Sequence, residues 1–331
     1  MSTTSTAART RWAALVTAVA LVVAACGGDS SPGASSGADT TAAPATTTAP
    51  TTVPPTTLAP TTVPPTTVAP TTAPPSGDGP LVGPDGRPRT WELHVPEGLD
   101  PGAPLVVALH GAGGSGAGFR ASSGYDELAD AEGFAVVFPD AIGVLPTWDA
   151  GGCCPPASLT RPDDVGFVVA LVDRLVAELA SDPDRVYVTG HSNGAMLTHR
   201  LACETDRFAA AVAVAGSLEW PCADPPAVSM LQIHGTADRI VPYDDRVEGV
   251  FGIEFTPAPV SIERWSTLLG CDPDPVIEID GAVTTSTSTG CRDDVTVELR
   301  SIEGGDHSWP RGAAPIDATV AGWAFLAAHA G

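Results

Sequence analysis

The chain of 331 residues contains no lysine. All 16 basic residues are arginine, set against 39 acidic ones for a net charge of −23. The absence excludes a phosphate-loop lysine, a Schiff-base lysine and a Ser–Lys dyad. The acidic balance repels phosphate backbones, so nucleic acid is not an expected partner. No Cys-x-x-Cys pair or zinc-like Cys/His spacing occurs, and neither a metal nor a cofactor is expected. Long apolar runs are also missing. The one near the N-terminus, Trp12 to Val23, is too short to span a bilayer comfortably.

What is present divides the chain into three parts. Arg9 and Arg11 precede that apolar run, and small residues Ala24 and Ala25 precede Cys26, which is the pattern of a signal peptide over residues 1–25. Val23-Ala24-Ala25-Cys26 resembles a bacterial lipobox, which implies acylation of Cys26. The expected location is extracellular, at the cell envelope, with the membrane touched only through that lipid. Residues 26–78 are mostly Thr, Pro, Ala, Ser and Gly, and from Ala49 they repeat a unit of the type APTTV-PPTTL. Such a segment cannot bury enough surface to offset its ordering entropy. Its prolines favour an extended tether, on the order of 150 Å long at polyproline rise.

Residues 79–331 carry the pattern of one folded domain. Leu105–Leu109 and Phe134–Phe138 are continuous apolar runs, as buried parallel strands are. Val165, Val168, Val169, Val172, Val176 and Leu179 recur at helical spacing behind a cap at Asp163 or Asp164. Further strands are expected at Val186–Val188, ending at Gly190, at Met230–Ile233 and at Val295–Leu299. This alternation implies an α/β fold with a mostly parallel sheet covered on both faces.

Gly190-His191-Ser192-Asn193-Gly194 fits the G-x-S-x-G nucleophile elbow. Gly33-Ala34-Ser35-Ser36-Gly37 fits it too, but only Ser192 follows a strand and opens a helix. A serine hydroxyl needs a base to take its proton. Of seven histidines, His307 stands on a late loop behind a strand, whereas His191 adjoins the serine and His110 and His234 end strands in structural-looking His-Gly pairs. Asp238 lies between serine and base, past a strand end, and is the expected acid; Asp244, Asp245 and Asp306 are its rivals. The order Ser, Asp, His is that of the α/β-hydrolase fold. An oxyanion needs two N–H donors, expected from Asn193 and from Ala112 in the loop His110–Gly114. A plain Gly-rich turn and a nucleotide loop are the alternatives for that loop. Trp148 and Trp309 are candidate pocket walls, or else core aromatics.

Six cysteines remain beyond Cys26. An even set in an exported domain reads as disulfides, with Cys203–Cys222 and Cys271–Cys291 preferred as local pairs and Cys153–Cys154 left over.

Leu109-His110-Gly111, Trp148, Gly151-Gly152-Cys153-Cys154, Asp163–Phe167, the Gly190 elbow, His234–Asp238 and Gly305–Pro310 occur in that order. Together they resemble the polyhydroxybutyrate depolymerase and feruloyl esterase family, lipoprotein members included. The resemblance implies a serine esterase with Ser192, Asp238 and His307 as triad and Ala112 and Asn193 as oxyanion donors. It also implies an ester substrate, polysaccharide-linked or a short hydroxyalkanoate. Ala112, where depolymerases often have Cys, is as in the feruloyl and acetyl-xylan branch. A depolymerase proper and a non-catalytic surface-binding lipoprotein are the alternatives.

Overall fold

The computed structural model describes residues 81–244 and 253–330, all within one compact unit, Pro74–Gly331. The expected signal peptide, Cys26 and the Thr/Pro tether lie outside the described residues, as does Asp245, one of the rival acids.

The chain opens with a two-stranded pair, β1 (Leu81–Val82) and β2 (Pro88–Arg89), and then enters a nine-stranded sheet. Its strands are β3 (Trp91–His94), β4 (Leu105–Leu109), β5 (Ala135–Pro139), β6 (Val186–His191), β7 (Ala210–Val214), β8 (Ser229–Gly235), β9 (Val276–Asp280), β10 (Val283–Ser288) and β11 (Val297–Ile302). The spatial order is β3-β5-β4-β6-β7-β8-β11-β10-β9. The six strands from β5 to β11 in that order are parallel, while β3 at one edge and the β9–β10 hairpin at the other run antiparallel.

Side chains alternate across the central strands, so each strand feeds two cores. Leu105, Val107, Leu109, Val186 and Val188 enter one core. Val106, Ala108 and Tyr187 enter the other. Helices α1 (Gly116–Ser123), α2 (Tyr125–Glu132) and α7 (Ala318–Ala327) cover the second face. Helices α4 (Asp164–Leu179), α5 (Asn193–Glu204) and α6 (Ala258–Leu268) cover the first, and α3 (Ala157–Thr160) is a single turn before α4. Both strand and helix expectations thus appear, with β11 beginning at Val297 instead of Val295.

Asp163 caps α4, accepting from the Gly166 N–H at 2.9 Å. The neighbouring Asp164 turns inward instead. Its carboxylate meets the buried Arg89 guanidinium at 2.7 Å and accepts from the Asp149 N–H at 2.7 Å. Asp149 in turn holds Arg200 of α5, whose guanidinium reaches its carbonyl at 2.6 Å and its carboxylate at 3.1 Å. The loop around residues 147–154 is therefore tied to both α4 and α5. Disulfides join Cys153–Cys154, Cys203–Cys222 and Cys271–Cys291.

Candidate active site

The site forms at the C-terminal ends of the parallel strands. Strand β6 runs through His191, one residue past the expected end, and α5 begins at Asn193, so Ser192 alone makes the turn. Its backbone sits at φ 56°, ψ −120°, a region unfavourable for any residue with a Cβ. The turn is this sharp because Gly190 and Gly194 let backbones touch. A Cβ on Gly190 would stand 2.5 Å from the Gly194 carbonyl, and one on Gly194 would stand 2.4 Å from the Leu109 carbonyl.

The structure brings Ser192, His307 and Asp238 into line. His307 Nε2 lies 2.9 Å from Ser192 Oγ, and His307 Nδ1 lies 2.7 Å from Asp238 Oδ2. Since the carboxylate can only accept, Nδ1 carries the proton and Nε2 offers a lone pair to the serine hydroxyl. Asp238 is buried, and its other oxygen accepts from the N–H groups of Ile240 at 2.8 Å and Val241 at 3.0 Å. Burial by itself would raise its carboxyl, but hydrogen bonds and electrostatic attraction from His234 and His307 outweigh it and hold the group well below the usual carboxylate range. Asp306 is exposed beside the base, and no contact joins it to the His307 ring.

Asn193 follows Ser192 directly, and the loop that carries Ala112 approaches Ser192 through Gly111. Gly111 packs so closely that a Cβ there would stand 3.3 Å from the Ser192 Cβ. In that loop Gly113 and Gly114 donate to the carbonyls of Pro146 and Gly111, at 2.7 and 3.0 Å, while the N–H of Ala112 has no partner among the described residues. Asn193 starts α5, where the first N–H groups have no intrahelical acceptor.

Gly111, Gly113 and Gly116 also stand at the G-x-G-x-x-G spacing of a dinucleotide loop, a reading the sequence does not remove. The structure argues against it. The Gly116 N–H at the start of α1 is taken by Asp140 Oδ1 at 2.7 Å, which places a carboxylate where a pyrophosphate would bind.

Trp148 does not line a pocket. It is fully buried, its indole N–H donates to the His110 carbonyl at 2.9 Å, and its main chain clasps Asn193. The aromatic is core, and its work is to join the His110 loop to the elbow. Trp309 is half-buried beside the base, edge-on to His191, with its indole N–H on Thr319 Oγ1 at 2.9 Å.

Four of the remaining histidines lie off the line from Ser192 to Asp238. His110 holds its own loop, with Nδ1 on the Gly111 carbonyl at 2.7 Å and Nε2 accepting from Ala141 N–H at 3.0 Å. His199 faces the core and accepts from the Trp265 indole at 2.9 Å. His191 abuts the His307 ring at 5.2 Å between centroids, and burial, reinforced by the charge of His307, pushes it down to about 3. His94 is only half-exposed, held by Asp130 at 2.8 Å. Sequence reasoning passed over His234 as a partner of Asp238 and Gln232 as a partner of His234; their spacing of two along a strand, which puts both on one face, was the available signal.

Comparisons with known proteins bear on the family and the fold. Residues 163–226 match the prolyl oligopeptidase family. The chain is 33% identical over 270 residues to a putative esterase, NocK, of Nocardia uniformis, covering 72% of this chain and 75% of that one. It is 35% identical over 112 residues to feruloyl esterase B of Neurospora crassa, covering 33% of this chain and 37% of the relative. Among solved structures, the acetyl xylan esterase from Aspergillus awamori superposes with a TM-score of 0.57 at 18% identity, covering 75% of this chain and 96% of that one, a likeness of fold. The chain thus spans three quarters of the Nocardia protein and just over a third of the feruloyl esterase. With its elbow, its sheet order and the ordered motifs from His110-Gly111 to Trp309-Pro310, the chain belongs to the polyhydroxybutyrate depolymerase and feruloyl esterase family of α/β-hydrolases, a family of carboxylic ester hydrolases.

Proposed function

We propose that the protein hydrolyses feruloyl or acetyl esters carried on polysaccharide, through an acyl-enzyme on Ser192. The observation that carries this reading is the continuous chain Ser192–His307–Asp238, with both links within 3 Å. His307 Nε2 takes the serine proton as Oγ attacks the ester carbonyl. The resulting oxyanion is met by the N–H groups of Ala112 and Asn193, one from each side of the nucleophile. His307 then protonates the leaving alcohol, and in the second half-reaction activates the water that releases the acid. Asp238 holds the imidazole in the required tautomer and stabilises its charged form. Trp309, beside the base, forms one wall for the substrate.

Secretion and anchoring complete the proposal. Three disulfides suit an oxidising compartment. Acylation at Cys26 would fix the protein to the outer face of the membrane, and the Thr/Pro segment would hold the catalytic domain clear of it. Mass spectrometry of the mature N-terminus tests this part: an unacylated Cys26 ends it.

The catalytic proposal is tested by measuring hydrolysis of acetyl, feruloyl, butyryl and hydroxybutyryl esters, with Ser192→Ala alongside. Turnover of the feruloyl or acetyl member, lowered about a thousandfold or more in the variant, is the expected result. Turnover confined to hydroxybutyryl esters would move the protein to the depolymerase reading. A rate absent, or unchanged by the substitution, would leave a binding lipoprotein.

A further inference from the structure

A second histidine stands behind the acid. Gln232 and His234 lie two apart on β8, so both project onto the face covered by α5 and α6, and both are buried. His234 Nε2 lies 2.8 Å from the Val241 carbonyl and 3.3 Å from Asp238 Oδ2, the same oxygen that receives His307. His234 Nδ1 lies 3.2 Å from Gln232 Nε2. Further in, the Trp265 indole nitrogen lies 2.9 Å from His199 Nδ1.

The Val241 carbonyl can only accept, which calls for a proton on His234 Nε2. Gln232 turns its NH₂ to His234. His234 Nδ1 accepts, and its proton sits on Nε2. Reversing the Gln232 amide would place its oxygen against His234 Nδ1 and draw the proton there. The bare Nε2 would then face two acceptors, the Val241 carbonyl and the Asp238 carboxylate, and both would repel it.

We propose that His234 is a positioning residue for Asp238, donating from Nε2 to the oxygen that orients His307, and that Gln232 and the Val241 carbonyl fix the tautomer in which it can do so. The inference rests on the triad reading above. A second ring N–H within 3.3 Å of Oδ2, shared with the Val241 carbonyl, narrows the carboxylate towards the orientation in which the His307 ring presents Nε2 to Ser192. A lone His307 link would allow the carboxylate to swivel about its two backbone contacts.

The test uses the whole protein with 15N-labelled histidine, because ring nitrogen shifts report tautomers directly. Wild type is expected to show His234 protonated at Nε2 and not at Nδ1. Gln232→Leu is expected to mix the two tautomers and to weaken the downfield proton signal of the His307–Asp238 hydrogen bond. In turnover of whichever ester the protein accepts, His234→Leu should lower kcat about tenfold or more, the scale of a lost hydrogen bond to a charged group, with KM within about twofold. His234→Gln, whose amide N–H falls near the place of Nε2, should recover most of that loss. A wild-type His234 protonated at Nδ1 would overturn the proposal. So would a kcat unchanged in both Gln232→Leu and His234→Leu, or a Gln variant no better than Leu. If no ester is turned over, the triad reading fails, and the tautomer and downfield signals still decide whether His234 serves Asp238.

Discussion

Trp148 and Asn193 clasp each other main chain to side chain. The Trp148 N–H donates to Asn193 Oδ1 at 2.7 Å, and Asn193 Nδ2 donates to the Trp148 carbonyl at 3.1 Å. Both residues are fully buried, 45 positions apart in sequence. The asparagine beside the nucleophile thus has a structural task for its side chain, apart from the oxyanion role proposed for its N–H. Asn193→Ala strands a buried N–H and a buried carbonyl on Trp148, and should destabilise the fold by about 2–4 kcal/mol. Because the first turn of α5 is set by this clasp, kcat should fall while KM changes little. Urea unfolding and steady-state kinetics on one preparation check both; a stability change below about 0.5 kcal/mol would remove the clasp from the account.

Ser192 holds its strained backbone whatever its side chain does. Ser192→Ala and Ser192→Gly should both abolish ester turnover, since neither has a nucleophile. They should differ in stability. Glycine accepts φ 56° without a Cβ, whereas alanine keeps the strain, so the Gly variant should be about 1 kcal/mol the more stable. Equal melting midpoints for the two would mean that the elbow is not strained.

Much of this site is legible in the residue string, and the rest is hidden for a physical reason. The elbow shows itself because a sharp turn needs glycines at fixed places, 190 and 194, between a strand and a helix. The runs Leu105–Leu109 and Phe134–Phe138 show themselves because a strand buried on both faces is apolar throughout. The hairpin β9–β10 was passed over because it is exposed or half-exposed along most of its length, so no apolar period marks it. Trp148 misleads for another reason. An aromatic with an N–H serves equally as a pocket wall or as a buried donor, and only its partner, the His110 carbonyl, decides. The link from Gln232 through His234 to Asp238 is likewise a matter of three-dimensional contact, since nothing in HGTAD says which atom His234 faces.

The glycines of the elbow make a prediction opposite in sign to the usual gain from Gly→Ala in a helix. Gly194 lies in the first turn of α5, where alanine would ordinarily help by about 1 kcal/mol. Here its Cβ would fall 2.4 Å from the Leu109 carbonyl and 2.6 Å from the His110 carbonyl, both backbone atoms that cannot rotate away. Gly194→Ala should push α5 off the end of β4, lower the melting temperature and widen the gap between Ala112 and Asn193. A variant as stable and active as wild type would show that the approach is looser than described.

Acid should act on this fold through Asp238. Its folded carboxyl is held below the usual range by the donors His234 and His307, against the opposing effect of burial. A depressed folded value means that the native state binds the proton less readily than the unfolded chain does. The ionised carboxylate therefore stabilises the fold at pH above the unfolded value, about 3.9, and that contribution disappears as pH falls through the lower folded value. Asp238→Asn cannot titrate, so it should be less stable than wild type at pH 7. The gap between the two proteins should hold from pH 7 to about 4.5 and close as the solution is taken below about 4. Unfolding free energies of both proteins across that window measure it. A gap that stays constant down to the acid limit would mean that Asp238 titrates alike in the folded and unfolded chains. The two histidines would then not be holding it ionised.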